Sequence, residues 1–416
     1  MRCALLTAFV LTCLARLGLH ALNLRHLRRH GHEVPPGFEE AVDPVRLRRA
    51  AAYAADRERA AALESAVTSA LAAVFLFGGW LGRYDRWVAS LAPSFVGGGV
   101  CFVLGLHLLG TLADLPFRLH RTFRLEARYG FHTSTVGLWI ADQVKAELLA
   151  LALLAGAAGG ALHLVAWSPQ RWWLWVWGFL AAASVLLIYL APVAIAPLFF
   201  RFEPVADPRL AAAIRELAGR AGIRVDRVLQ VDASRRSRHA NAYFTGIGRV
   251  KRIVLFDTLL AGTPAEEVLA VLAHEMGHWK RGHVRQRIFW AQAATLAALY
   301  AASRWIDSPG LPGWLGLESA SFPARAAILA LAASVAAFPL TPLWSAWSRR
   351  QERAADRFAA RLAGTPEPLA AALVRLSAEN LANLHPHPLY AWFHYSHPPP
   401  AERVAYLRRA LPGGSR

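Results

Sequence analysis

Residues 172–200 read WWLWVWGFLAAASVLLIYLAPVAIAPLFF and contain no charged side chain. A helix needs about 20 mostly apolar residues to cross the hydrocarbon core of a bilayer. Pro192 and Pro197 are expected to bend or end the helix. One such stretch also fits a buried core helix, but seven in one chain predict a polytopic, mainly α membrane protein. The other six are 3–22, 65–82, 95–116, 147–167, 288–305 and 324–344.

The composition agrees with this prediction. Apolar residues make up 55% of the 416 residues and charged residues only 18%, against about a quarter charged in soluble domains. The first stretch is also compatible with a signal peptide, although Arg16 interrupts it and no clear A-x-A cleavage site follows. Cys3, Cys13 and Cys101 all lie in apolar stretches, which excludes a disulfide framework and a cysteine metal site.

The net charge of +18 first suggests nucleic-acid binding. However, the basic residues concentrate in segments 23–64 and 117–146, whereas 83–94, 168–171 and 306–323 hold two, one and no Lys or Arg. Positive residues mark the cytoplasmic loops of membrane proteins. The pattern predicts an outer N-terminus, with the catalytic segments and the C-terminus in the cytoplasm, and it requires no nucleic-acid partner.

The chain therefore divides into four segments. We expect five transmembrane helices with basic loops in 1–200, a polar segment in 201–287, two further transmembrane helices in 288–344, and a second polar segment in 345–416.

The polar segments contain patterns typical of short helices and strands. Helices are predicted near 207–221, 345–363, 366–381 and 399–410, and strands at 225–231 and 252–256, with a turn at Gly246-Ile247-Gly248. Thr263-Pro264-Ala265-Glu266 has the pattern of a capping box and predicts a helix from Pro264 to about Trp279.

That helix carries His274-Glu275-Met276-Gly277-His278, an HExxH motif. Residues four apart lie on one helix face, so both imidazoles can reach one metal ion. Glu275 then lies beside a metal-bound water, as in zinc metalloproteases. The motif predicts one Zn²⁺ per chain, with Glu275 as general base for peptide hydrolysis.

A catalytic zinc site needs a third protein ligand and an open position. Glu352 and Asp356 lie four residues apart on a predicted helix, so one carboxylate can bind metal while the other orients a ligand histidine. Spacing alone leaves other candidates open, namely Glu266, Glu267, His283 and Glu402. Of these, His283 looks like a bystander beside the motif.

At this point the chain resembles the M48 metallopeptidases, through Glu352-x-x-Ala355-Asp356 after an HExxH, and within them the Ste24-type CAAX prenyl proteases. The resemblance covers roughly 120–410. The motifs that carry it are Asn241-Ala242-Tyr243-Phe244-x-Gly246, the run KRIVLFDTLL at 251–260, His394-Tyr395-Ser396-His397-Pro398-Pro399-x-x-Glu402-Arg403, Tyr129-Gly130-Phe131 and Ala196-Pro197-Leu198-Phe199. Departures at His132 and Phe200 do not touch the zinc motif.

The resemblance implies a fold and roles for residues. About seven transmembrane helices would surround an internal chamber, closed by a cytoplasmic gluzincin-type protease domain with a small β element. Glu352 would be the third metal ligand and Asp356 the residue that orients a ligand histidine. His397 and Arg403 would stabilise negative charge near the metal. Residues 241–244 (Asn241, Ala242, Tyr243, Phe244) would form an edge strand that pairs with the substrate backbone.

Other classes fit less well. A site-2-type intramembrane protease carries its HExxH inside an apolar span, whereas charged residues flank this one on both sides. An HtpX-like quality-control protease would be shorter and lack the pattern at 394–403. A transporter or receptor would not need the intact His274, Glu275, His278 and Glu352 set.

The substrate stays open. The resemblance implies a peptide or protein substrate with a C-terminal Cys-a-a-X motif, prenylated or not. It also implies that the enzyme is a monomer embedded in the lipid bilayer. The bias towards Arg and Ala indicates a GC-rich bacterial genome, so we expect a bacterial homologue in the inner membrane. Prenylated proteins are not expected in most bacteria, so another membrane protein or an unfolded protein is an alternative substrate.

Overall fold

The computed structural model of the chain describes residues 1–245 and 251–410, and most of them are helical. The helices in this part of the chain are α1 Arg2–His30, α2 Pro44–Phe77, α3 Trp80–Leu91, α4 Phe95–Leu119, α5 Val136–Trp167, α6 Trp172–Leu190, α7 Pro208–Arg220, α8 Asp257–Leu260, α9 Ala265–Lys280, α10 His283–Trp305, α11 Phe322–Ala337, α12 Thr341–Ala363, α13 Glu367–Glu379, α14 Pro388–His394 and α15 Pro400–Ala410.

Six helical stretches in the described residues are long and apolar enough to cross a membrane, which confirms a polytopic membrane protein. They are α1, α2, α4 with its π-helical extension to Glu126, α5, α6 with its irregular end to Leu198, and the continuous rod of α11 and α12. The predicted irregularity at Pro192 and Pro197 is confirmed, since regular α-helix stops at Leu190 and tighter and wider turns follow.

The predicted span at 65–82 is wrong at its end. Helix α2 stops at Phe77, and Gly79 has a positive φ of 80° that turns the chain into α3. Glycine takes up this left-handed conformation without the steric cost that a Cβ imposes.

Helix α10 contains the predicted span 288–305 but is not one of the six. It nevertheless packs against α6. The Trp177 indole donates to the Gln292 carbonyl at 3.0 Å, and the Trp173 and Tyr300 rings lie 5.1 Å apart. Residue numbers fall along α6 as they rise along α10 in these two contacts, so α10 runs antiparallel to a membrane-crossing helix. With α10 added to the six stretches, the structure fits the prediction of about seven crossings.

A four-stranded sheet accompanies the helices. Its strands are β1 Phe202–Pro204, β2 Val225–Val231, β3 Ala242–Thr245 and β4 Lys251–Phe256, in the order β1-β2-β4-β3. Strands β2 and β4 are parallel and the two outer pairs are antiparallel. Strand β3 is therefore an edge strand. The predicted turn at Gly246–Gly248 lies outside the described residues.

The predicted capping box before α9 does not form, and the helix begins at Ala265, one residue later than predicted. Pro264 is itself the N-cap, with an extended ψ of 146°, and it makes no side-chain cap. The Thr263 hydroxyl is buried and has no hydrogen-bond partner among the described residues. Glu267 is engaged elsewhere, because its carboxylate accepts from Arg375 Nε at 2.8 Å.

One hydrophobic core joins the two polar segments. Ile214, Leu255 and Met276 from the first segment pack in the same cluster as Ala359 and Leu407 from the second, and all five are essentially buried. Burial of each of the four larger side chains stabilises the fold by about 1.5–3 kcal/mol. The segments are thus packed as one body, although their boundaries at 200/201, 287/288 and 344/345 stay predictions.

A cavity of about 650 Å³ lies between α2, the end of α4 and segment 381–400. Charged and polar side chains from the membrane-crossing helices line part of it, including Glu58, Glu64 and Arg121. Tyr395 and Pro400 also line a smaller hollow that contains His397 and Arg403. The larger internal chamber implied by the resemblance stays a prediction.

Candidate active site

Helix α9 carries the HExxH motif on the face that it turns towards α12. His274 is 6% exposed, and Met276 and Gly277 are buried. A Cβ on Gly277 would lie only 3.0 Å from the Ala355 Cα atom, so the glycine allows the two helix backbones to approach closely. This close crossing brings a carboxylate from α12 within reach of both histidines of α9.

Three potential ligand groups converge there. The Nε2 atoms of His274 and His278 are 3.2 Å apart. Each lies near one oxygen of Glu352, at 3.3 Å from Oε2 for His274 and 3.2 Å from Oε1 for His278. One ligand atom from each of the three residues lies within 4.8 Å of the others. Among the described residues this is the one group of three or more metal-type ligands that meet in this way.

Glu352 provides a test of whether a cation fits. Its side chain is fully buried, and its two carboxylate oxygens face the imidazole nitrogens of His274, His278 and His397 at 2.8–3.3 Å. A buried carboxylate is costly unless a positive charge neutralises it. Two histidines and a glutamate also match the donor set of a known class of catalytic zinc sites. The residues present therefore fit a metal ion.

Asp356 and Arg403 support the far side of His274. The Asp356 carboxylate is fully buried and lies 2.8 Å from His274 Nδ1. Arg403 donates to the same carboxylate from Nε at 3.1 Å, and its Nη2 is 3.4 Å from His274 Nδ1. Asp356 thus lies where an orienting residue is expected. Arg403 contacts the histidine from behind, which favours a positioning role over direct contact with substrate.

The two carboxylates also affect the protonation of His274. Burial disfavours the charged imidazole, but hydrogen bonds to Asp356 and Glu352 outweigh it and raise the pKa of His274 to about 9. A metal ligand must offer a free nitrogen lone pair, so cation binding here would release a proton.

Glu275 takes no part in the ion pairs described above. It is partly exposed, and within the described residues its carboxylate makes no hydrogen bond and no ion pair within 4 Å. Arg403 exerts a longer-range electrostatic interaction with it. An accessible, unpaired carboxylate next to a potential metal ligand has the properties that a general base requires.

His397 lies on the open side of Glu352. Its Nδ1 is 2.8 Å from Glu352 Oε2, while 62% of its side chain is exposed. The residue follows α14 in a short proline-rich segment that leads into α15. The structure therefore brings His397 to the three-residue group, with most of its imidazole free to contact another molecule.

The four predicted substrate-binding residues lie at the edge of the sheet. Asn241 directly precedes β3, and its carbonyl accepts from the Phe256 N–H at 3.1 Å. Strand β3 pairs with β4 through Ala242, Tyr243 and Phe244 on one side. Its other side has no strand neighbour in the described part of the sheet. This arrangement is compatible with pairing to an extended peptide.

The remaining candidates for the third ligand are not brought to the site. Glu266 and Glu402 are exposed, and Glu267 is paired with Arg375. Sequence reasoning underestimated His283, which is buried with its Nδ1 only 3.0 Å from His278 Nδ1. Burial, together with the nearby His278 and Arg287, lowers the pKa of His283 to about 4. Its spacing of five from His278, across a glycine, was the available signal.

Two family models match the chain from near its beginning to near its end. Residues 23–201 match a model described as the CAAX prenyl protease N-terminal region with five membrane helices. Residues 204–411 match the model of peptidase family M48.

Individual proteins show the same similarity. The chain is 35% identical over 332 residues to CAAX prenyl protease 1 of Saccharomyces cerevisiae, a match that covers 76% of this chain and 73% of the yeast protein. The human CAAX prenyl protease 1 homolog is 30% identical over 448 residues, with 93% and 91% covered. The crystal structure of S. mikatae Ste24p superposes with a TM-score of 0.88 at 29% identity and covers 97% of this chain and 98% of that one.

Proposed function

Because the chain belongs to peptidase family M48 and is a membrane-embedded, Ste24-like metallopeptidase, we propose that it holds one zinc ion on His274, His278 and Glu352. We propose that it hydrolyses peptide bonds near the C-terminus of prenylated CAAX-type or other membrane-associated proteins. The observation that carries the metal assignment is the fully buried Glu352 carboxylate, whose oxygens face the Nε2 atoms of His274 and His278 so that one ligand atom of each residue lies within 4.8 Å of the others.

Glu275 acts as the general base in this proposal. A zinc ion, when bound, supplies Lewis acidity and makes water easier to deprotonate. The Glu275 carboxylate accepts a proton from the attacking water and returns it to the leaving amine. Its lack of ion pairs among the described residues keeps it available for both transfers.

His397 and Arg403 support the developing negative charge. The exposed imidazole of His397, held by Glu352 through Nδ1 at 2.8 Å, presents its other side to the substrate carbonyl. Arg403 adds a fixed positive charge behind His274, because its guanidinium is bonded to Asp356. Preorganised positive groups of this kind stabilise an oxyanion more strongly in a dry site than in water.

The substrate backbone pairs with β3. In an antiparallel ladder, alternate residues bond to the partner strand and the others face away. The bond from the Phe256 N–H to the Asn241 carbonyl, with the register of β3 on β4, leaves the backbone of Ala242 and Phe244 facing the open edge. An extended peptide added there runs alongside α9, which contacts β3.

The test of the general base is Glu275→Gln in purified full-length protein. We expect peptidase activity to fall by at least about a hundredfold, the size typical of general-base catalysis, while zinc stays bound at one per chain. Glu266→Gln on the same helix is the matched control, since Glu266 is exposed. Retained activity with zinc bound would contradict the assignment.

The substrate class is tested with a farnesylated CAAX peptide and its unprenylated twin. The names of the similar proteins and the partly apolar 650 Å³ cavity beside the site support a lipidated substrate. We expect a lower KM for the farnesylated peptide, because burial of a prenyl chain adds binding energy. Equal cleavage of both peptides would remove the prenyl preference and leave the protease assignment intact.

The match of residues 23–201 to the CAAX prenyl protease N-terminal model supports this function over the HtpX-like alternative. The distribution of basic residues supports an outer N-terminus and a cytoplasmic catalytic site. We propose in addition that the protein works as a monomer in a bacterial inner membrane.

A further inference from the structure

We propose that His283 is a positioning residue for the metal site: its imidazole accepts a hydrogen bond from His278 Nδ1 and so holds that ligand with Nε2 towards the metal. The inference deepens the proposed function and rests on the assignment of His278 as a ligand.

The contact is short and buried. His283 Nδ1 lies 3.0 Å from His278 Nδ1, and the two rings meet edge to face with centroids 5.0 Å apart. His283 is only 5% exposed. A hydrogen bond shielded from water in this way fixes the ring that donates it, because no solvent molecule can compete for the same N–H.

The positions of the two His278 nitrogens define the direction of the bond. Nε2 lies beside Glu352 Oε1 and His274 Nε2, so it is the nitrogen that faces the metal position. A neutral imidazole that gives Nε2 to a cation carries its proton on Nδ1. The His278 Nδ1–H therefore donates and His283 Nδ1 accepts. His283 in turn carries its own proton on Nε2.

The two ligand histidines are thus held by different partners. Behind His274 lies the Asp356 carboxylate, at 2.8 Å from Nδ1. Behind His278 lies the imidazole of His283 in the equivalent place. Groups in this position usually set both the tautomer and the orientation of a ligand histidine.

The chain reaches this geometry through a single tight turn. Helix α9 ends at Lys280, Gly282 adopts a positive φ of 67°, and α10 begins with His283. The turn folds the first residue of α10 back against the last turn of α9. The metal ligand and its support therefore lie on two different helices that meet at one glycine.

The test compares zinc affinity in full-length wild-type protein, His283→Leu and His283→Asn, by competition with a chromophoric zinc chelator. Leucine fills the space without an acceptor, whereas the asparagine amide oxygen can accept at nearly the place of Nδ1. We expect His283→Leu to bind zinc about 10–100-fold more weakly, the usual effect of losing such a partner. We expect His283→Asn to recover most of that loss.

Thermal unfolding with and without zinc separates positioning from folding. A lost hydrogen bond to the ligand predicts a smaller rise in unfolding temperature when zinc is added, whereas a folding defect lowers the unfolding temperature of the metal-free protein. Wild-type affinity in His283→Leu, or an equal loss in His283→Asn, would overturn the inference while leaving the zinc site itself in place. A wild-type protein that binds no stoichiometric zinc would instead refute the proposed function.

Discussion

Single residues determine how the metal-binding side chains are held. Asp356 is fully buried between His274 and Arg403, and it accepts hydrogen bonds from two nitrogens of the arginine. The carboxylate therefore has two functions that can be separated by experiment. It orients a ligand histidine, and it neutralises an arginine whose side chain is only 10% exposed.

Asp356→Ala should lower stability and zinc affinity together. Removing one partner of a buried ion pair costs about 3–5 kcal/mol, because the other charge stays buried and unpaired. Zinc affinity should fall about 10–100-fold as His274 loses its partner. Chemical unfolding and zinc competition measure the two effects independently.

The double variant Asp356→Ala/Arg403→Leu provides the control. Without the arginine no unpaired charge remains, so stability should return towards the wild-type value while zinc affinity stays low. A double variant as unstable as Asp356→Ala would show that the ion pair is not the source of the stability loss.

At the scale of secondary-structure elements, the site depends on a close helix crossing and on a free sheet edge. Gly277 and Ala355 have small side chains and allow the backbones of α9 and α12 to pack directly against each other. This close packing brings Glu352 to the two histidines. Strand β3 lies at the end of the sheet order and keeps one edge open in the described residues. The crossing places the metal ligands, and the strand offers backbone groups to an extended substrate.

Ala242→Pro should weaken peptide binding with little loss of stability. The Ala242 N–H faces the open edge, where the Asn241 side chain accepts it at 2.8 Å, so proline removes no bond to β4. One lost substrate hydrogen bond corresponds to about 0.5–1.5 kcal/mol, or up to about a tenfold rise in KM. Steady-state kinetics on a single peptide measure the change.

Tyr243→Pro is the matched comparison on the neighbouring residue. Its N–H faces β4 in the ladder, so proline there should lower the unfolding temperature clearly. If Ala242→Pro leaves KM unchanged at wild-type stability, β3 is not the strand that binds substrate.

For the whole molecule, the two polar segments form one catalytic body although two helices of the membrane bundle separate them in sequence. Met276 and Leu407 share one core, and the stacked rings of Phe131 and His239, 4.1 Å apart, connect this body to the chain after α4. Both polar segments must therefore lie on the same side of the membrane. This requires an even number of crossings between them, and α10 with the rod of α11 and α12 provides two.

Single cysteines test this topology in a variant in which Cys3, Cys13 and Cys101 are replaced by serine. Glu318→Cys lies in the connection between α10 and α11, and Arg224→Cys lies between α7 and β2; both positions are exposed. We expect a membrane-impermeant thiol reagent to label position 318 in intact cells and position 224 only after lysis. Labelling of both positions from the same side would contradict the crossing of α10.

The amino-acid sequence alone determined the class of the protein. Seven apolar runs such as 172–200 in one chain predict helices that cross a bilayer, and the HExxH spacing brings two histidines together only on a helix, so both patterns are local. Strand β2 has the predicted bounds Val225–Val231 for the same reason, because its pattern depends on neighbouring residues. Here local preference and tertiary structure agree.

Only the tertiary structure determined which side chains from separate segments contact each other. Spacing left Glu352 among several acidic candidates, and the crossing of α9 and α12 brought this one to within 3.3 Å of both histidines. The predicted capping box does not form because Pro264 and not Thr263 is the N-cap, and the Thr263 hydroxyl makes no hydrogen bond within the described residues. His283 gained its contact from a turn at Gly282. The Glu352 contact depends on packing between segments far apart in the chain, which no local pattern encodes, and the His283 contact depends on the conformation of a single glycine.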